Sequence, residues 1–477
     1  MNKQRPSDVK LIDDAWDMTV DVLIVGSGFA GLTAAIEARQ HGLDVLIIEK
    51  MKNVGGNSII SDGGIAAPDT HLQHKHGIID SKELMYQDML HAGMGLNHRD
   101  LLLTLVSHAK SAFEWTIDLL DVPYLDRVDI FGGHSIARCY TPEGVSGSTI
   151  ITKMMNKIHQ QNIPIKTSVS FRSFIQDDQG RVIGASLLDD YQYDTDQGTP
   201  LTIRTTKGVV LATGGYGADV VFRQMQDPRL SHDIQTTNKP FATAEALRAA
   251  LDIGAASVQL SHIQLGAWAS PDEKGFGAGP LFADYILFQH GLIIDPKTGK
   301  RFVNEMGDRK QTADAILSIG HPCIGIVDDH AVKKAGWDIQ RALKKGVVKT
   351  FDTIEDISHH YEIDHDGLIN TLNTFNQSII KQHDPCYHKP ISSDTKPITT
   401  PPYYVMRLWP KVHYTMGGVA INDRTQVLDF DGKPIEGLFA VGEVVGGVHG
   451  ASRLGSCSIT ECIVFGRIAG SQIAQSS

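Results

Sequence analysis

The sequence predicts an α/β fold organised around a mostly parallel β-sheet. Three neighbouring segments carry this prediction: a continuous apolar run at residues 20–25, a helical pattern at 31–40 and a second apolar run at 45–48. Strands joined through a helix pair in parallel, and parallel strands covered on both faces form uninterrupted apolar runs. The alternation of strand and helix therefore indicates an α/β architecture.

Later segments continue this pattern towards the C-terminus. They are predicted as strands at 208–212 and 438–441, a helix at 459–469, and a polar, proline-containing loop or domain crossover at 383–402. The polar residues that precede the first strand predict a short N-terminal arm. At 477 residues the chain exceeds what one simple core holds, so its length favours two or three domains.

Composition and charge exclude several classes of function. The chain is 42% hydrophobic and 21% charged, which is ordinary for a soluble globular protein. Its net charge of −11 argues against nucleic-acid binding, which requires a strongly basic face, but leaves room for a local cationic pocket. The first residues lack the apolar core of a signal peptide, and no run of about 20 apolar residues is present to span a membrane. The sequence thus predicts a cytoplasmic protein that is not membrane-spanning.

The cysteines are widely spaced and form neither a CxxC pair nor a CxxCH haem-attachment motif. They are Cys139, Cys323, Cys386, Cys457 and Cys462. An odd number of isolated cysteines suits reduced thiols in a cytosol. The sequence therefore predicts no metal site, internal haem or iron–sulfur cluster.

A glycine motif, G-x-G-x-x-G, lies between the first predicted strand and the first predicted helix. Gly26 permits the tight turn, Gly28 lets the backbone approach a pyrophosphate, and Gly31 lets the helix pack closely on the sheet. The helix N-terminus then offers free N–H groups to the phosphates. Glu49 ends the second strand, where its carboxylate can accept a ribose hydroxyl and would repel the 2′-phosphate of NADP. These features predict a Rossmann-type dinucleotide site for NAD or FAD.

The loop at residues 55–64 bears on the choice between these two cofactors. It is rich in glycine and small polar side chains, which suits a loop passing against the isoalloxazine ring and ribityl chain of a flavin. Taken alone, the same composition is also typical of a plain surface loop.

Three further segments complete a resemblance to a known family. Residues 208–215, 413–418 and 437–470, together with the glycine motif and the 55–64 loop, resemble the FAD-dependent fumarate reductase and succinate dehydrogenase flavoprotein family. The similarity is greatest to the soluble flavocytochrome c-type fumarate reductases and to their enoate reductase and 3-ketosteroid dehydrogenase relatives. It spans nearly the whole chain from Asp21 and implies that the cofactor is FAD.

The resemblance also implies an architecture. Such proteins have a Rossmann-type, glutathione-reductase-like FAD-binding domain with an inserted α+β capping domain. For this chain it implies an arm at 1–19, an FAD-binding domain at 20–261 and 413–477, and a capping domain at 262–412. Members that bind FAD covalently carry a histidine in the glycine-rich loop. Asn57 stands at that position here, which implies non-covalent FAD.

The FAD contacts implied by the resemblance come from the glycine motif, the glycine-rich loop and the C-terminal segments. They are Gly26, Gly28, Ala30, Gly31, Glu49, Lys50, Gly56, Asn57, Ser58, Ser61, Gly63, Gly64, Thr213, Gly214, Gly442, Glu443, Arg453, Ser456, Ser458 and Ile459.

Reduction of an activated alkene needs a hydride from flavin N5, cationic groups for the carboxylate and the developing enolate charge, and an acid. By resemblance, Arg309 is the proton donor, and His413 and Arg453 hold the substrate carboxylate. Because arginine is a weak acid, this role requires that neighbouring groups replace its proton at once. The alternative interpretation of Arg309 is a surface arginine at the start of a helix.

Two departures from the family pattern bear on the substrate. Fumarate reductases clamp the second substrate carboxylate with a His-Pro-Thr segment; the aligned histidine here is Gly266, although His262 is near enough to compensate. A Glu-x-x-Arg pair relays protons to the arginine acid in those enzymes; here the carboxylate is kept as Asp284 and the arginine is replaced by Leu287. A second substrate carboxylate would then be buried without a partner, at a cost of several kcal/mol.

The predicted small-molecule substrate is therefore an α,β-unsaturated monocarboxylate, or another enone or enoate with a bulkier apolar end, rather than plain fumarate. Beside the three cationic residues, the predicted substrate contacts are His262, Trp268, Asp284 and Tyr414.

Two other functions stay open on the sequence. A 3-ketosteroid dehydrogenase would run the flavin in the oxidative direction and use tyrosines such as Tyr414 and Tyr285 to polarise a ketone. A non-catalytic flavin electron carrier or assembly partner would fit the missing relay arginine. The electron donor or acceptor is expected to be separate: a cytochrome, a flavin- or NADH-linked reductase, or a quinone-linked partner.

Overall fold

The computed structural model describes residues 16–393 and 395–476. Most of the arm predicted at 1–19 lies outside the described residues. The first strand, predicted from residue 20, begins at Met18, so the last two residues assigned to the arm belong to the sheet instead.

The strands are short in the C-terminal part and longest near the middle of the chain. They are β1 (Met18–Val25), β2 (Val45–Glu49), β3 (Ile65–Ala66), β4 (Cys139–Tyr140), β5 (Ile165–Thr167), β6 (Ser170–Gln176), β7 (Val182–Gln192), β8 (Gln197–Leu211), β9 (Ser257–Val258), β10 (Ile263–Gly266), β11 (Leu292–Asp295), β12 (Lys300–Arg301), β13 (Cys323–Asp328), β14 (Val348–Phe351), β15 (Tyr403–Leu408), β16 (Lys411–Thr415), β17 (Gly418–Val419), β18 (Gln426–Leu428) and β19 (Pro434–Ala440).

The α-helices are α1 (Phe29–Gln40), α2 (His71–Lys75), α3 (Lys82–Ala92), α4 (Arg99–Asp118), α5 (Gly147–Gln160), α6 (Val220–Gln226), α7 (Glu245–Asp252), α8 (Gly279–Phe282), α9 (Phe288–His290), α10 (Arg309–Ile319), α11 (Asp329–Ala335), α12 (Gln340–Lys344), α13 (Ile354–Tyr361), α14 (His365–Ile380) and α15 (Cys457–Gln475). A π-helical turn, Ala283–Leu287, connects α8 to α9.

The main sheet has the strand order β18-β19-β8-β1-β2-β5. Strand β1 pairs in parallel with β2 and with β8, and β8 pairs in parallel with β19. The side chains at the centre of β1 and β2 are buried on both faces, which explains their uninterrupted apolar sequence. The predicted α/β fold with a parallel Rossmann-type sheet is confirmed.

One part of this sheet was not predicted. The strand predicted at 208–212 is the buried end of the much longer β8, whose first half pairs antiparallel with β7, and β7 in turn pairs with β6. That first half is largely exposed and polar. It therefore lacks the apolar run by which the buried end was recognised.

Helices α1 and α15 hold the two ends of the chain together. A Cβ atom on Gly466 would lie 2.8 Å from Cβ of Thr33, and one on Gly470 would lie 2.6 Å from Cβ of Glu37. Two glycines one turn apart thus let α15 approach α1 closely. This contact places the segment before α15 next to the β1–α1 turn.

A second sheet, with the order β12-β11-β13-β15-β14, is antiparallel and has a hydrophobic core of its own. That core includes Leu292, Ile326, Leu368 and Phe375. All of these elements fall inside the predicted capping domain at 262–412. The polar loop predicted at 383–402 contains neither helix nor strand among its described residues.

A two-stranded ribbon joins the two sheets. Strand β10 pairs antiparallel with β16, with Ile263 opposite Thr415 and Gln264 opposite Tyr414. The chain therefore enters and leaves the 262–412 segment side by side, and the domain boundaries themselves stay a prediction. The ribbon brings the residues around Gly266 next to His413.

No helix in the described part of the chain is long and apolar enough to cross a lipid bilayer. All five cysteines are free thiols.

Candidate active site

Two cavities that share lining residues run from the β1–α1 turn to helix α12. The smaller has a volume of about 150 Å³ and the larger about 800 Å³. Both are lined by Phe29, Asn57, Ser58, Glu443 and Cys462, so they form one continuous trench.

The β1–α1 turn forms one end of the trench and depends on its glycines. Gly26 has a φ of +109°, and a Cβ there would lie 2.4 Å from the carbonyl oxygen of Ala212. A Cβ on Gly31 would lie 2.0 Å from the carbonyl oxygen of Gly26. Helix α1 then begins without a side-chain cap, since Gly28 is its N-cap. Its first backbone N–H groups suit a phosphate anion.

Two charged residues flank this turn. The buried Glu49 accepts hydrogen bonds from the backbone N–H groups of Ser27, at 3.3 Å, and Met51, at 2.9 Å. Lys50 is held by Glu245, with 2.9 Å between its Nζ and a carboxylate oxygen. Both Glu49 and Lys50 line the smaller cavity, where an adenosine would lie.

Asn57 and Glu443 lie where the two cavities meet. The Asn57 amide donates to Oδ1 of Asn238 at 2.6 Å and accepts from the backbone N–H of Lys239 at 2.8 Å. Glu443 accepts from the backbone N–H of Thr415 at 2.9 Å, and burial raises its pKa to about 7. Both side chains present neutral or weakly charged polar atoms to the trench near neutral pH.

Most of the predicted FAD contacts line this trench. On the smaller cavity lie Gly26, Gly28, Ala30, Glu49, Lys50, Gly56, Thr213, Gly214 and Gly442. On the larger lie Ser61, Gly64, Arg453, Ser456, Ser458 and Ile459, and Asn57, Ser58 and Glu443 lie on both. Gly31 and Gly63 line neither cavity and serve backbone packing instead: a Cβ on Gly63 would lie 2.7 Å from the ring of Pro142. The glycine turn, the ribose acid and the continuous trench fit FAD.

Three predicted catalytic residues meet in the larger cavity although they are far apart in the chain. Arg309 is the first residue of α10, His413 lies in β16, and Arg453 precedes α15. Three of the predicted substrate contacts, Trp268, Asp284 and Tyr414, line the same cavity.

Arg309 is paired with one carboxylate. Its Nη2 lies 2.9 Å from Oδ2 of Asp284, and its guanidinium lies over the ring of Trp268 at 5.7 Å. Burial raises the pKa of Asp284, while the charge of Arg309 opposes this effect and the charge of Asp62 adds to it. Asp284 therefore holds a proton more readily than an ordinary carboxylate does.

Arg453 is almost fully buried, at 2% exposure, and forms no ion pair with any described residue. Its Nη1 donates to the carbonyl of Leu454 at 2.9 Å, its guanidinium stacks over Tyr414 at 4.7 Å, and its Nε has no hydrogen-bond partner in the described part of the protein. Burial lowers the pKa of Arg453 to about 10, and the charge of Arg309 adds to this effect. A buried, uncompensated cation of this kind favours an anionic ligand.

Tyr414 supports Arg453 rather than facing the cavity with its hydroxyl. The hydroxyl donates to Oε2 of Glu461 at 2.6 Å, and the same oxygen lies 2.9 Å from Nε2 of His449. All three side chains are buried. The ring face of Tyr414 is the part that contacts the guanidinium.

His413 is neutral in this environment. Burial lowers its pKa well below the ordinary value, and the charges of Arg453 and Arg309 lower it further. Its Nδ1 lies 2.8 Å from the hydroxyl of Thr237, and its ring meets that of Trp268 edge-on at 4.7 Å. The second ring nitrogen is left for a ligand in the cavity.

Apolar groups lie beside His413 and Arg309. A Cβ on Gly266 would lie 2.9 Å from Cζ2 of Trp268, so the indole fills the space that a side chain at 266 would take. Trp268 packs in turn on Phe276, with 5.3 Å between the ring centres. Leu287 is completely buried. The positions of the second carboxylate clamp and the relay arginine thus hold apolar groups.

His262, which the sequence predicts as a substrate contact, lies apart from the other predicted contacts. It precedes β10, is half-buried and lines neither cavity. Its carbonyl accepts a hydrogen bond from the N–H of Met416 at 3.0 Å, which fixes the backbone outside the cavity.

Several lining residues were missed by sequence reasoning. Asp62 lies in the glycine-rich loop, and its carboxylate accepts from the hydroxyl of Tyr285 at 2.9 Å. Thr237, which orients His413, lies in a polar stretch before Pro240 that shows no periodic pattern. The one available signal for Asp62 was the presence of an acid in a glycine-rich loop, since such loops are otherwise built of small neutral residues.

Four further cations, Lys239, Lys274, Arg341 and Lys345, line the mouth of the larger cavity. All but the half-buried Lys239 are exposed, and none forms an ion pair with another described residue. In the described part of the chain, no group of three or more His, Cys, Asp or Glu side chains is placed to hold a metal ion.

Comparison with known proteins agrees with this geometry. The family model described as "FAD binding domain" matches residues 21–459. The chain is 41% identical over 464 residues to the acrylate reductase flavoprotein subunit of Shewanella woodyi, covering 95% of this chain and 91% of that protein. Two solved structures share the fold. The open conformation of a flavocytochrome c3 fumarate reductase has a TM-score of 0.75 and 30% identity, covering 96% and 79% of the two chains. A 3-ketosteroid-Δ4-(5α)-dehydrogenase from Rhodococcus jostii has a TM-score of 0.77 and 22% identity, covering 99% and 100%.

Proposed function

The chain belongs to the FAD binding domain family, and from this premise we propose that it reduces the carbon–carbon double bond of an α,β-unsaturated monocarboxylate. It is an FAD-dependent oxidoreductase of the fumarate reductase type, as the resemblance implied. Its similarity to an acrylate reductase supports a small enoate as substrate.

The charge balance of the cavity is the observation that carries this proposal. Arg309 is paired with Asp284 and His413 is neutral, whereas Arg453 forms no ion pair with a described residue, although Asp62 and Glu443 also line the cavity. The guanidinium of Arg453 is thus buried without an ion-pair partner. A single carboxylate from the substrate would balance it.

The residues of the cavity have separate roles in this reaction. When bound, FAD supplies the hydride that adds to one carbon of the double bond. Arg453 and His413 hold the substrate carboxylate and stabilise the negative charge that develops on it. Arg309, held by Asp284, donates a proton to the neighbouring carbon.

The apolar groups near Gly266 support a substrate with one carboxylate. Trp268, packed on Phe276, fills the space beside Gly266, the position that aligns with the second carboxylate clamp of fumarate reductases. Desolvating a second carboxylate against aromatic rings would cost several kcal/mol. Acrylate or a substituted acrylate avoids this cost.

Non-covalent FAD is supported by Asn57. Both ends of its amide are hydrogen-bonded to residues 238 and 239, and an amide lacks the imidazole nitrogen that attaches the flavin in covalent members. Acid precipitation is expected to release the flavin into the supernatant. Flavin that stays with the precipitate would contradict this assignment.

The two alternatives have weaker support. A ketosteroid dehydrogenase needs free tyrosine hydroxyls, but those of Tyr414 and Tyr285 are engaged by Glu461 and Asp62. A non-catalytic electron carrier has no use for a buried, unpaired Arg453. Bleaching of the flavin by a 3-ketosteroid would favour the first alternative, and a reduced holoenzyme that no enoate reoxidises would favour the second.

A separate protein or quinone is proposed as the electron donor. The relative from Shewanella woodyi is named a flavoprotein subunit, which supports a partner protein in this role. Five free thiols support a reducing compartment, and we place the reaction in the cytoplasm.

The test is anaerobic turnover of the dithionite-reduced holoenzyme with a panel of enoates. Flavin reoxidation is followed with acrylate, crotonate, cinnamate and fumarate. The proposal expects kcat/KM to be highest for a monocarboxylate. Fastest turnover with fumarate would overturn the substrate assignment, and no reoxidation by any enoate would overturn the proposed function.

A further inference from the structure

Arg309 needs a source of protons that its immediate surroundings do not provide. Each turnover removes one proton from its guanidinium, and its partner Asp284 has a side chain only 11% exposed. A bound substrate would close the cavity further. Leu287, one turn beyond Asp284, is completely buried and carries no proton. The supply must therefore reach Asp284 from another side.

Asp62 and Tyr285 are the polar groups that approach this pair from the FAD-binding side. The Tyr285 hydroxyl donates to Oδ2 of Asp62 at 2.9 Å, and Oδ1 of Asp62 accepts from the N–H of Gly64 at 3.1 Å. Asp62, Tyr285, Asp284 and Arg309 all line the same cavity. Two hydrogen-bonded pairs, Arg309 with Asp284 and Tyr285 with Asp62, therefore line it.

A local departure from helical geometry brings the two consecutive residues to this cavity. Asp284 and Tyr285 lie in the π-helical turn Ala283–Leu287, where the wider winding changes the direction of successive side chains. Turns of this kind occur often at functional sites. Here the turn aims a carboxylate at Arg309 and a hydroxyl at Asp62.

Apolar rings close the surroundings of Tyr285. Its ring meets those of Phe131 and Trp337 edge-on, at 4.8 Å and 4.7 Å. Tyr285 is 2% exposed, whereas Asp62 is half-buried. Asp62 is therefore the member of the group that can exchange protons with solvent when the substrate leaves.

A second acid, Asp129, interacts electrostatically with Asp62. Burial raises the pKa of Asp129, and the charge of Asp62 adds to this effect, so the two carboxylates lie within electrostatic reach of each other. Asp129 is paired at 2.7 Å with Arg127, whose side chain is 39% exposed. Arg127 and Asp129 thus form a partly exposed ion pair within electrostatic reach of Asp62.

We propose that Asp62 is the proton relay for the reaction, with Tyr285 as the residue that positions its carboxylate. Arg309 gives an N–H proton to the substrate carbon, and its guanidine nitrogen regains a proton through the carboxyl group of Asp284. Asp62 then passes a proton to the Asp284 carboxylate and regains one from solvent. One proton enters for each hydride transferred, and no further reactant is needed. This inference rests on the proposed function.

The experiment compares reduced holoenzyme carrying Asp62→Asn with the wild type in acrylate turnover. Asparagine keeps the hydrogen bond to Tyr285 but carries no acidic proton. The expected result is a kcat about 100-fold lower, with a larger solvent deuterium isotope effect. FAD content, the rate of flavin reduction by dithionite and the Kd for propionate should not change, and those readouts would move if Asp62 were merely structural.

Three further variants complete the test. Asp62→Glu should recover part of the lost kcat, because it restores an acid. Tyr285→Phe should lower kcat less than Asp62→Asn does. Asp338→Asn is the matched control, since Asp338 is an exposed acid lining the same cavity, and its kcat should equal that of the wild type.

The outcomes separate this inference from the proposed function. If the wild type reduces acrylate and Asp62→Asn has the same kcat and isotope effect as the wild type, the relay is overturned while the proposed function stands. Absence of wild-type turnover with every enoate would overturn the proposed function. If Asp62→Asn fails to retain FAD, the variants Asp62→Glu and Tyr285→Phe test the relay instead. A solvent isotope effect equal to that of the wild type in both variants would overturn it.

Discussion

Two clusters of buried charge in this molecule contain the same kinds of side chain but differ in their balance. In the 262–412 segment, Arg301 and Lys389 face Glu305 and Asp384. Arg301 lies 2.8 Å from Glu305 and 3.0 Å from Asp384, and Lys389 lies 3.5 Å from Glu305. Two cations meet two carboxylates. In the cavity, Arg309 is paired with Asp284, whereas the buried Arg453 forms no ion pair with a described residue.

The difference shows how buried charge distinguishes a structural site from a binding site. A balanced cluster satisfies its own charges and needs nothing from outside. An unbalanced one carries a desolvation cost that a ligand of opposite charge relieves. The cap cluster therefore holds the fold, and the cavity cluster is completed by substrate.

The largest expected effect is the loss of turnover when Arg309, the proposed proton donor to the double bond, is replaced. Arg309→Met should lower kcat for acrylate reduction by about 10⁴-fold, since it removes both the proton donor and a positive charge. Stopped-flow reoxidation of the reduced enzyme measures this. Arg309→Met with kcat near that of the wild type would show that the unbalanced cluster does not carry the chemistry.

The matching change in the balanced cluster should act on stability instead. Arg301→Met leaves Glu305 and Asp384 with only Lys389, and should lower the free energy of unfolding by about 3–5 kcal/mol. Denaturant titration measures the loss, and kcat of the folded fraction should stay close to the wild-type value. A selective loss of kcat without a loss of stability would contradict the structural role of the cluster.

A smaller effect is expected at the unpaired arginine. Arg453→Met should raise KM for acrylate and Kd for propionate about 100-fold, because the carboxylate loses a charged donor. The same variant should be more stable than the wild type, by about 1 kcal/mol, since an uncompensated buried charge is gone. Steady-state kinetics and denaturant titration test the two parts, and a destabilised variant would indicate that Arg453 is balanced after all.

The smallest effect concerns the cations at the mouth, which are unpaired but exposed. The double change Arg341→Gln and Lys345→Gln should lower kcat/KM about three-fold at low ionic strength, with no change in kcat. At about 0.15 M salt, where screening acts within about 8 Å, the difference should vanish. Lys433→Gln, a change of an exposed lysine that lines neither cavity, is the control. A salt-independent difference would exclude electrostatic steering.

The parts of the fold that were predictable are those determined by neighbours in the chain. The turn at Gly26, the acid at the end of β2 and the apolar runs of β1, β2 and β19 follow from local rules of backbone conformation and burial. The exposed first half of β8 and its antiparallel partners were missed, because exposed strands lack an apolar run.

The cavity was predictable only in part. The resemblance supplied Arg309, His413 and Arg453, and the structure brings all three to one cavity. The resemblance did not show that His262 lies outside that cavity. Nor did it show that Asp62 is hydrogen-bonded to Tyr285, more than two hundred residues further along the chain. Contacts of that kind depend on how the two sheets face each other.

By itself, the sequence determined an FAD-binding α/β protein and the residue types available for its chemistry. Arg301 and Arg309 lie in one short segment and are chemically identical. Only the tertiary structure decided that the first is balanced by Glu305 and by Asp384, 83 residues further along the chain, while the second lines a cavity in which Arg453 forms no ion pair with a described residue. The physical reason is that charge balance in a buried site is a sum over neighbours in space, which the order of residues does not contain.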